Sequence, residues 1–271
     1  MKLARFSYEG KVDYGIVDGA TIRPVTGDIF VKPTATEHPI ELSKVKLLVP
    51  TVPTKVIALG LNYRTHAHEL KVPIPKEPIF FYKPPSALIG TGDFIQYPPQ
   101  SQRVDYEAEL AFVIKKAAKN VAKSQALDHV LGYTCFNDVT ARDIQMREGG
   151  LELVKSKSFD TFAAVGPWIE TEVDPGNLPI ECRVNGVVRQ SGNTSDLIFD
   201  VAEILSYISK IMTLYPGDII ATGTPSGIGS VSVGDVVAVV VGSVGTLENK
   251  VVRDMPKQQT EGRLNVTNVA S

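Results

Sequence analysis

The stretch YEAELAFVI, residues 106–114, carries the clearest β-strand pattern in the middle of the chain. Side chains two positions apart on a strand point to the same face, so Glu107 and Glu109 share one side of it. From Leu110 onward both faces are apolar, which indicates a buried strand. Two buried carboxylates repel each other and lose hydration unless a cation neutralises them. The stretch therefore predicts a strand-rich core with an acidic site, although the same spacing also fits the solvated face of an edge strand.

A third carboxylate lies at the end of the next predicted strand. Asp138 follows the stretch 131–136 and precedes a helix predicted from Thr140 to Arg147. Together with the two glutamates it would suit a hard divalent cation with oxygen ligands, such as Mg²⁺, Mn²⁺ or Ca²⁺. The alternative for Asp138 is a structural role as the N-cap of that helix.

The predicted strands outnumber the helices and do not alternate with them, which favours a barrel or roll over a doubly wound sheet. The sequence predicts a small N-terminal β-rich domain over residues 1–50, a main domain over 51–255 and a polar tail over 256–271. Asn185-Gly186 predicts a hairpin turn. The helices inserted among the strands include an amphipathic one over 197–212 and a short one over 124–129 with Ser124 as N-cap.

Composition excludes several classes of protein. The chain has 271 residues, 43% hydrophobic and 21% charged, with a formal net charge of −2. That apolar content is too high for a disordered chain, and the charge argues against nucleic-acid binding. No apolar run is long enough to span a membrane, and two cysteines without a CxxC partner are typical of a reducing compartment. We therefore expect a cytoplasmic protein that binds neither nucleic acid nor a membrane.

Several further motifs accompany the acidic strand in a fixed order. They are GLNYRTHAHE at 60–69, YEAEL at 106–110, NDVTARDIQ at 137–145, KSFD at 157–160 and TGTPSGIG at 222–229. Jointly these motifs resemble the fumarylacetoacetate hydrolase family over roughly residues 55–253, with an N-terminal segment like that of its bacterial members. The resemblance implies a mixed α+β, β-rich fold, described as a β-barrel or β-roll with inserted short helices, and a homodimer.

The resemblance also implies roles for individual residues. It assigns Glu107, Glu109 and Asp138 as ligands of one Mg²⁺ or Mn²⁺. His66 and Glu69 match the family's acid/base pair, and their i, i+3 spacing lets the two side chains meet on a helical turn. Without the resemblance, His66 is better explained as an ordinary surface histidine.

The remaining site residues follow from the same resemblance. Lys157 matches a lysine that can stabilise a developing negative charge. Arg142, Gln145 and Thr224 match substrate-binding residues, with Gln145 as a neutral donor and Arg142 binding a carboxylate or fixing Asp138. The alternative for Arg142 is an ion pair with Asp143 or Glu148.

The implied substrates are β-dicarbonyl compounds or 2-oxo acids that react through an enolate chelated by the metal. Because His66 and Glu69 are both present, hydrolysis of the C–C bond of an acylpyruvate is the first expectation. The alternatives are an isomerase or tautomerase of the 2-hydroxyhepta-2,4-diene-1,7-dioate type, an oxaloacetate decarboxylase, or a non-catalytic metal-binding scaffold. The Pro-rich stretch 71–78 is either a lid or a plain surface connection. The stretch 149–153 departs from the eukaryotic hydrolase, which leaves substrate contacts there undecided.

Overall fold

The fold is seen in a computed structural model that describes residues 1–147 and 152–254. The departure at residues 149–153 therefore falls largely outside the described residues. The strands, in chain order, are β1 (Lys2–Tyr8), β2 (Lys11–Asp18), β3 (Thr21–Thr26), β4 (Thr34–Ala35), β5 (Ile40–Glu41), β6 (Lys46–Leu47), β7 (Val56–Gly60), β8 (Ile79–Lys83), β9 (Leu88–Ile89), β10 (Phe94–Tyr97), β11 (Val104–Tyr106), β12 (Ala108–Ile114), β13 (Val130–Asp138), β14 (Thr140–Ala141), β15 (Ala163–Glu170), β16 (Pro179–Val184), β17 (Val187–Asn193), β18 (Ile219–Ala221), β19 (Gly229–Val231), β20 (Val236–Val241) and β21 (Gly245–Arg253).

The helices are few and short. The α-helices are α1 (Arg64–Leu70), α2 (Arg142–Gln145), α3 (Leu153–Lys157) and α4 (Val201–Ile211), and 3₁₀ turns cover Leu42–Lys44, Pro85–Ala87, Lys123–His129 and Thr194–Asp196. None of the helices in the described ranges is long and apolar enough to cross a membrane. The expectation of a strand-rich α+β fold with inserted short helices is confirmed.

The acidic strand lies in the middle of a large mixed sheet. β12 is hydrogen-bonded between β13 and β18, both antiparallel to it, and every one of its residues is buried. The sheet runs in the order β4-β3-β2-β1-β15-β13-β12-β18-β7-β8, so over the described residues it has two ends and forms a roll rather than a closed barrel. The continuous apolar sequence of β12 fits this place, because a central strand covered on both faces exposes no side chain to water. The edge-strand alternative is therefore wrong.

The strand predicted over 106–114 is interrupted at Glu107. β11 ends one residue before it and pairs with β14 and β19, whereas β12 begins one residue after it and pairs with β13 and β18. The Glu107 amide donates to Asn137 Oδ1 at 3.0 Å, and its carbonyl accepts from the Asp138 amide at 3.0 Å. The chain thus passes from one sheet to another at Glu107, a candidate metal ligand. At this break both backbone groups of Glu107 form hydrogen bonds with residues at the end of β13.

A second sheet covers the first and completes the main core. Its order is β10-β21-β20-β16-β17, and the predicted hairpin joins β16 to β17 through Asn185 and Gly186, both at positive φ. Apolar residues of β12, β20 and α4, including Phe112, Val239 and Ile204, belong to one buried cluster. This core covers one face of β12, and a second buried cluster that includes Ala111 and Val113 covers the other. Close packing on both faces gives the acidic site a rigid base.

Helix boundaries differ from those predicted. The helix expected over 140–147 is reduced to the single turn α2, because Thr140 and Ala141 pair with β11 instead. The helix expected over 197–212 begins at Val201, after Asp200, whose side chain accepts from the Glu203 amide. The segment expected to be capped by Ser124 is a 3₁₀ turn from Lys123 to His129 without a side-chain cap.

The N-terminal strands extend the large sheet. β1 pairs antiparallel with β15 through Lys2 with Glu170 and Leu3 with Ile169. β1, β2 and β3 form an antiparallel meander, joined by short turns after Tyr8 and after Asp18. Where the chain divides into domains stays a prediction, since these strands share a sheet with the main body.

Candidate active site

The three predicted metal-ligand residues meet in one buried cluster. Glu107 lies between β11 and β12, Glu109 lies on β12, and Asp138 ends β13. One carboxylate oxygen of each lies within 4.8 Å of the others, and all three residues are buried. The antiparallel register explains this meeting: Ala108 faces Asn137, which brings the end of β13 beside Glu107. Asp138 is not the N-cap of α2, which begins after Ala141.

Two lysines neutralise part of this acidic cluster. Lys157, the last residue of α3, places Nζ 2.6 Å from Glu107 Oε2 and 2.7 Å from Asp138 Oδ2. Lys83, the last residue of β8, places Nζ 2.6 Å from Asp138 Oδ1 and 3.2 Å from the Val139 carbonyl oxygen. Lys83 was not among the site residues predicted from the sequence. A signal for it existed, because it ends the apolar run IFFYK, where a strand end can face a site.

The charged groups of the cluster shift one another's pKa values. Burial alone would raise the pKa of Glu107, but Lys157 and Arg142 outweigh it and lower the pKa to about 2. Burial would lower the pKa of Lys157, but Asp138 and Glu107 raise it above its ordinary value. For Lys83 burial prevails over the attraction of Asp138 and lowers the pKa to about 8. At neutral pH the cluster therefore contains an ionised Glu107 between the Lys157 ammonium and the Arg142 guanidinium.

Glu109 is the carboxylate of the cluster without a cationic partner among the described residues. Its Oε2 accepts from the Gly223 amide at 2.8 Å, while its Oε1 is buried and has no hydrogen-bond partner. Burial, followed by the neighbouring Asp138 and Glu107, raises the pKa of Glu109 well above its usual range. An orphaned buried carboxylate oxygen beside two other carboxylates fits a divalent cation with oxygen ligands. Glu107, Glu109 and Asp138 would hold that cation.

Arg142 links the cluster to a second buried carboxylate. Its Nε donates to Asp105 Oδ2 at 2.8 Å, and its two terminal nitrogens donate to Glu107 Oε1 and to Gln145 Oε1. Asp105 is fully buried and also accepts two hydrogen bonds from Arg103. Arg142 thus contacts Glu107 rather than Asp138, and the pairing with Asp143 is not observed.

Asp105 was missing from the sequence-based site, although the order Asp105, Glu107, Glu109 is a period of two that could have indicated it. Glu148, the other proposed partner of Arg142, lies outside the described residues.

His66 and Glu69 form a pair on α1, as their spacing predicts. His66 Nδ1 lies 2.8 Å from Glu69 Oε2, and Glu69 Oε1 accepts from the Gly227 amide at 2.8 Å. His66 is buried, so it is not an ordinary surface histidine, whereas the Glu69 side chain keeps 30% of its surface exposed. When His66 is neutral and donates its Nδ1 proton to this carboxylate, the ring lone pair is on Nε2. The pair therefore offers a fixed proton acceptor.

The Gly-rich turn at 222–229 supports both halves of the site. Gly223 has φ +93°, and a Cβ there would lie 2.9 Å from Asn62 Cβ, so glycine lets its amide reach Glu109. Thr224 donates its hydroxyl to the Ala108 carbonyl at 2.9 Å and accepts from Gln190 Nε2 at 2.8 Å. A substrate contact by Thr224 stays a prediction, and it would have to use the remaining hydroxyl lone pair.

The fold and the site together define a class: a strand-rich α+β protein whose central strand carries a buried acidic centre beside a histidine–glutamate pair. Comparison with known proteins places the chain within this class. Residues 55–252 match the family model described as fumarylacetoacetate (FAA) hydrolase C-terminal, and residues 1–50 match one described as Rv2993c-like, N-terminal. The chain belongs to the fumarylacetoacetate hydrolase family, whose members are enzymes.

Relatives within the family have different activities. The human protein named oxaloacetate tautomerase FAHD2A, mitochondrial, is 45% identical over 78% of this chain and 70% of its own. The structure of 2-hydroxyhepta-2,4-diene-1,7-dioate isomerase from Mycobacterium marinum is 40% identical with a TM-score of 0.87, covering 94% of this chain and all of that one. Maleylpyruvate hydrolase from Sphingobium sp. SYK-6, in complex with Mn²⁺ and pyruvate, is 34% identical with a TM-score of 0.79 at the same coverage.

Proposed function

We propose that the protein is a Mg²⁺- or Mn²⁺-dependent hydrolase that cleaves the C–C bond of an acylpyruvate-like 2-oxo acid. The observation that carries this proposal is the hydrogen-bonded pair of His66 and Glu69, which the Gly-rich turn connects to the buried triad. The Gly227 amide binds Glu69, and the Gly223 amide binds Glu109. Hydrolysis needs a group that takes a proton from water, and a histidine held by a carboxylate is suited to this task. A site for enolate chemistry alone would have less need of such a pair.

The acidic cluster would hold the cation and the dicarbonyl end of the substrate. A divalent cation bound by Glu107, Glu109 and Asp138 would act as a Lewis acid on carbonyl oxygens. The Lys157 ammonium lies among these carboxylates and can stabilise negative charge that develops on a substrate oxygen. Because Gln145 Oε1 accepts from Arg142, its amide NH₂ is left to donate to a substrate oxygen.

The histidine–glutamate pair would activate a water molecule as the nucleophile. His66 Nε2 accepts a proton from water while Glu69 stabilises the imidazolium that forms. The water oxygen bonds to the acyl carbonyl carbon, and the bond from that carbon to the methylene carbon then breaks. The electron pair of that bond leaves with the pyruvate fragment as its enolate, which takes up a proton to give pyruvate. The other product is a carboxylic acid.

A second candidate is a tautomerase or isomerase of a 2-oxo dicarboxylate. It is favoured by the relatives named oxaloacetate tautomerase, which are 44% and 45% identical to this chain, more than the maleylpyruvate hydrolase. In that reaction the same cluster would hold the enol form, and the pair would move a proton without adding water. Oxaloacetate decarboxylation is a third reaction of the same kind of intermediate.

A substrate panel followed by ¹H NMR tests the proposal. Acetylpyruvate, fumarylpyruvate and the keto and enol forms of oxaloacetate are each incubated with Mg²⁺, Mn²⁺ or a chelator. We expect metal-dependent release of pyruvate and a carboxylic acid from an acylpyruvate. Enol-to-keto conversion of oxaloacetate without any cleavage of acylpyruvates would favour the second candidate. Turnover that survives complete chelation would contradict the metal assignment.

A further inference from the structure

Lys83 is a fully buried charged residue that the proposed reaction does not use. Its side chain is 0% exposed, and its ammonium group contacts Asp138 Oδ1 and the Val139 carbonyl. Burying an ammonium group is costly, and a well-packed apolar side chain is often no less stabilising at such a position. Asp138 moreover already has a cationic partner, since its other oxygen is bound by Lys157. Neutralising Asp138 for folding therefore does not require Lys83.

The balance of charge in the cluster gives Lys83 a purpose. Both lysines contact the carboxylates that would hold the cation: Lys157 binds Glu107 and Asp138, and Lys83 binds Asp138. Lys83 therefore adds one positive charge within the acidic cluster. That charge repels a divalent cation bound there, and it adds to the attraction of the loaded cluster for an anion. Replacing Lys83 by a neutral residue removes this charge and leaves every carboxylate in place.

We propose that Lys83 is a positioning and charge-setting residue: it weakens the hold of the cluster on the divalent cation and strengthens the hold of the loaded cluster on an anionic substrate. The second half rests on the proposed function, because it concerns a 2-oxo acid. The first half does not, because it concerns the cation and the carboxylates alone. Lys83 acts through Asp138 and through the field of its charge, so it is not itself a catalytic residue.

The test uses two probes that bind without turnover. Isothermal titration measures Mn²⁺ binding to the protein dialysed against a chelator, and then oxalate binding at saturating Mn²⁺. Oxalate serves because it is a small dianion with adjacent oxygens, like the dicarbonyl end of a 2-oxo acid. In Lys83→Met we expect the Mn²⁺ affinity to rise about tenfold or more and the oxalate affinity to fall about tenfold or more, since one charge is removed from a low-dielectric site.

Two further variants separate charge from packing. Lys83→Gln retains a hydrogen-bond donor without the charge and is expected to behave like Lys83→Met in both titrations. Lys55→Met is the matched control, because Lys55 Nζ forms a similar pair with buried Asp218 at 2.6 Å. Asp218 precedes β18, whereas Gly223, which contacts Glu109, follows it, so this pair lies at the far end of that strand. Lys55→Met should lose stability but keep both affinities.

The outcomes distinguish the proposals. An unchanged or weaker Mn²⁺ affinity in folded Lys83→Met and Lys83→Gln would overturn the charge-setting role, as would recovery of wild-type values by glutamine. Tighter Mn²⁺ with unchanged oxalate affinity would overturn the part concerning the substrate. If the wild type binds Mn²⁺ but neither binds oxalate nor turns over any 2-oxo acid, the proposed function fails, and the Mn²⁺ titrations still decide the effect of Lys83 on the cation.

Discussion

At the scale of single residues, the site consists of carboxylates whose surroundings make them unequal. Glu107 is held by Lys157 and Arg142, which lower its pKa to about 2. Glu109 has a backbone amide as its partner, and burial raises its pKa well above the usual range. Glu69 keeps part of its surface exposed and binds a histidine. The same side chain is thus suited to hold a cation in one place and to orient a histidine in another, because the neighbouring charges and the access of water differ.

Replacing Glu69 tests the role of the pair in activating water. In Glu69→Gln we expect kcat for acylpyruvate hydrolysis to fall about 100-fold or more, a typical loss for a general-base function. Oxaloacetate decarboxylation should fall much less, because it consumes no water in the bond-breaking step. His68→Gln, a change one residue earlier on the exposed side of α1, is the control. Equal losses in both reactions would show that Glu69 does not activate water.

The raised pKa of Glu109 predicts that the stability of the folded protein depends on pH when the cation is removed. A carboxyl group whose folded pKa is raised favours the folded state while it is protonated, and this stabilisation is lost as pH rises through the folded pKa. In chelator we therefore expect Glu109→Gln to be more stable than the wild type above neutral pH, with a melting temperature higher by a few degrees. With Mn²⁺ present, the wild type should have the higher melting temperature of the two, because the bound cation stabilises it.

Thermal melts from pH 5 to pH 9, with chelator and with Mn²⁺, measure this effect. Glu248→Gln is the control, because Glu248 is exposed on β21. A wild type whose stability relative to Glu109→Gln is the same at every pH, or is not raised by Mn²⁺, would contradict the assignment of Glu109.

At the scale of elements, the site depends on places where regular structure stops. The acidic strand breaks at Glu107, β13 ends at Asp138, β8 ends at Lys83, and the Gly-rich turn follows β18. β13, β12 and β18 are hydrogen-bonded side by side, so side chains at their ends lie close together. β8 is separated from β13 by three strands in the sheet order, yet Lys83 contacts Asp138, so this contact depends on the curl of the sheet. The ends of these strands therefore bring the polar groups together.

The turn after β18 offers a test at this scale. Gly223→Ala would combine positive φ with a Cβ 2.9 Å from Asn62 Cβ, and it should displace the amide that binds Glu109. Gly10→Ala has the same backbone strain, at φ +78°, but nothing within 4 Å of its Cβ. We expect Gly10→Ala to cost about 1 kcal/mol of unfolding free energy and Gly223→Ala about 2 to 3 kcal/mol. Urea denaturation measures both, and equal losses would mean that crowding at Asn62 is unimportant.

At the scale of the whole molecule, the two sheets bury a core that encloses both cysteines. Burial raises the pKa of the Cys135 thiol to about 12, and it raises that of Cys182 as well. Since the thiolate is the reactive form, neither thiol should react with a disulfide reagent at pH 8 while the protein is folded. Both should react promptly in guanidinium chloride. Rapid reaction of either thiol in the native protein would show that this core opens locally.

We propose, following the resemblance to the family, that the protein is a homodimer. Light scattering coupled to size-exclusion chromatography should then give twice the chain mass of 29.4 kDa. A mass of one chain at every protein concentration would contradict the proposal. The cytoplasmic location also stays a prediction.

Much of the fold and of the site could be predicted from the sequence because the signals are local. The apolar run after Glu109 indicated a buried strand, Asn185-Gly186 indicated a hairpin, and the i, i+3 spacing of His66 and Glu69 indicated a pair. Each depends on the periodicity or conformational preference of neighbouring residues, which the chain carries wherever it lies. The motifs likewise identified the family, because their residues occur in order along the chain.

Other features were decided only by the tertiary structure. The helix predicted from Thr140 was reduced to one turn because pairing with β11 outcompeted helix propensity. Three contacts of the site join residues that are 30 to 55 positions apart in the sequence. They are the hydrogen bond of Glu107 with Asn137, that of Arg142 with Glu107 and that of Lys83 with Asp138. Such contacts depend on which strands lie side by side, and that is set by burial over the whole core. By itself the sequence determined which charged and polar side chains were available. The packing of the two sheets decided which of them form ion pairs and hydrogen bonds with one another.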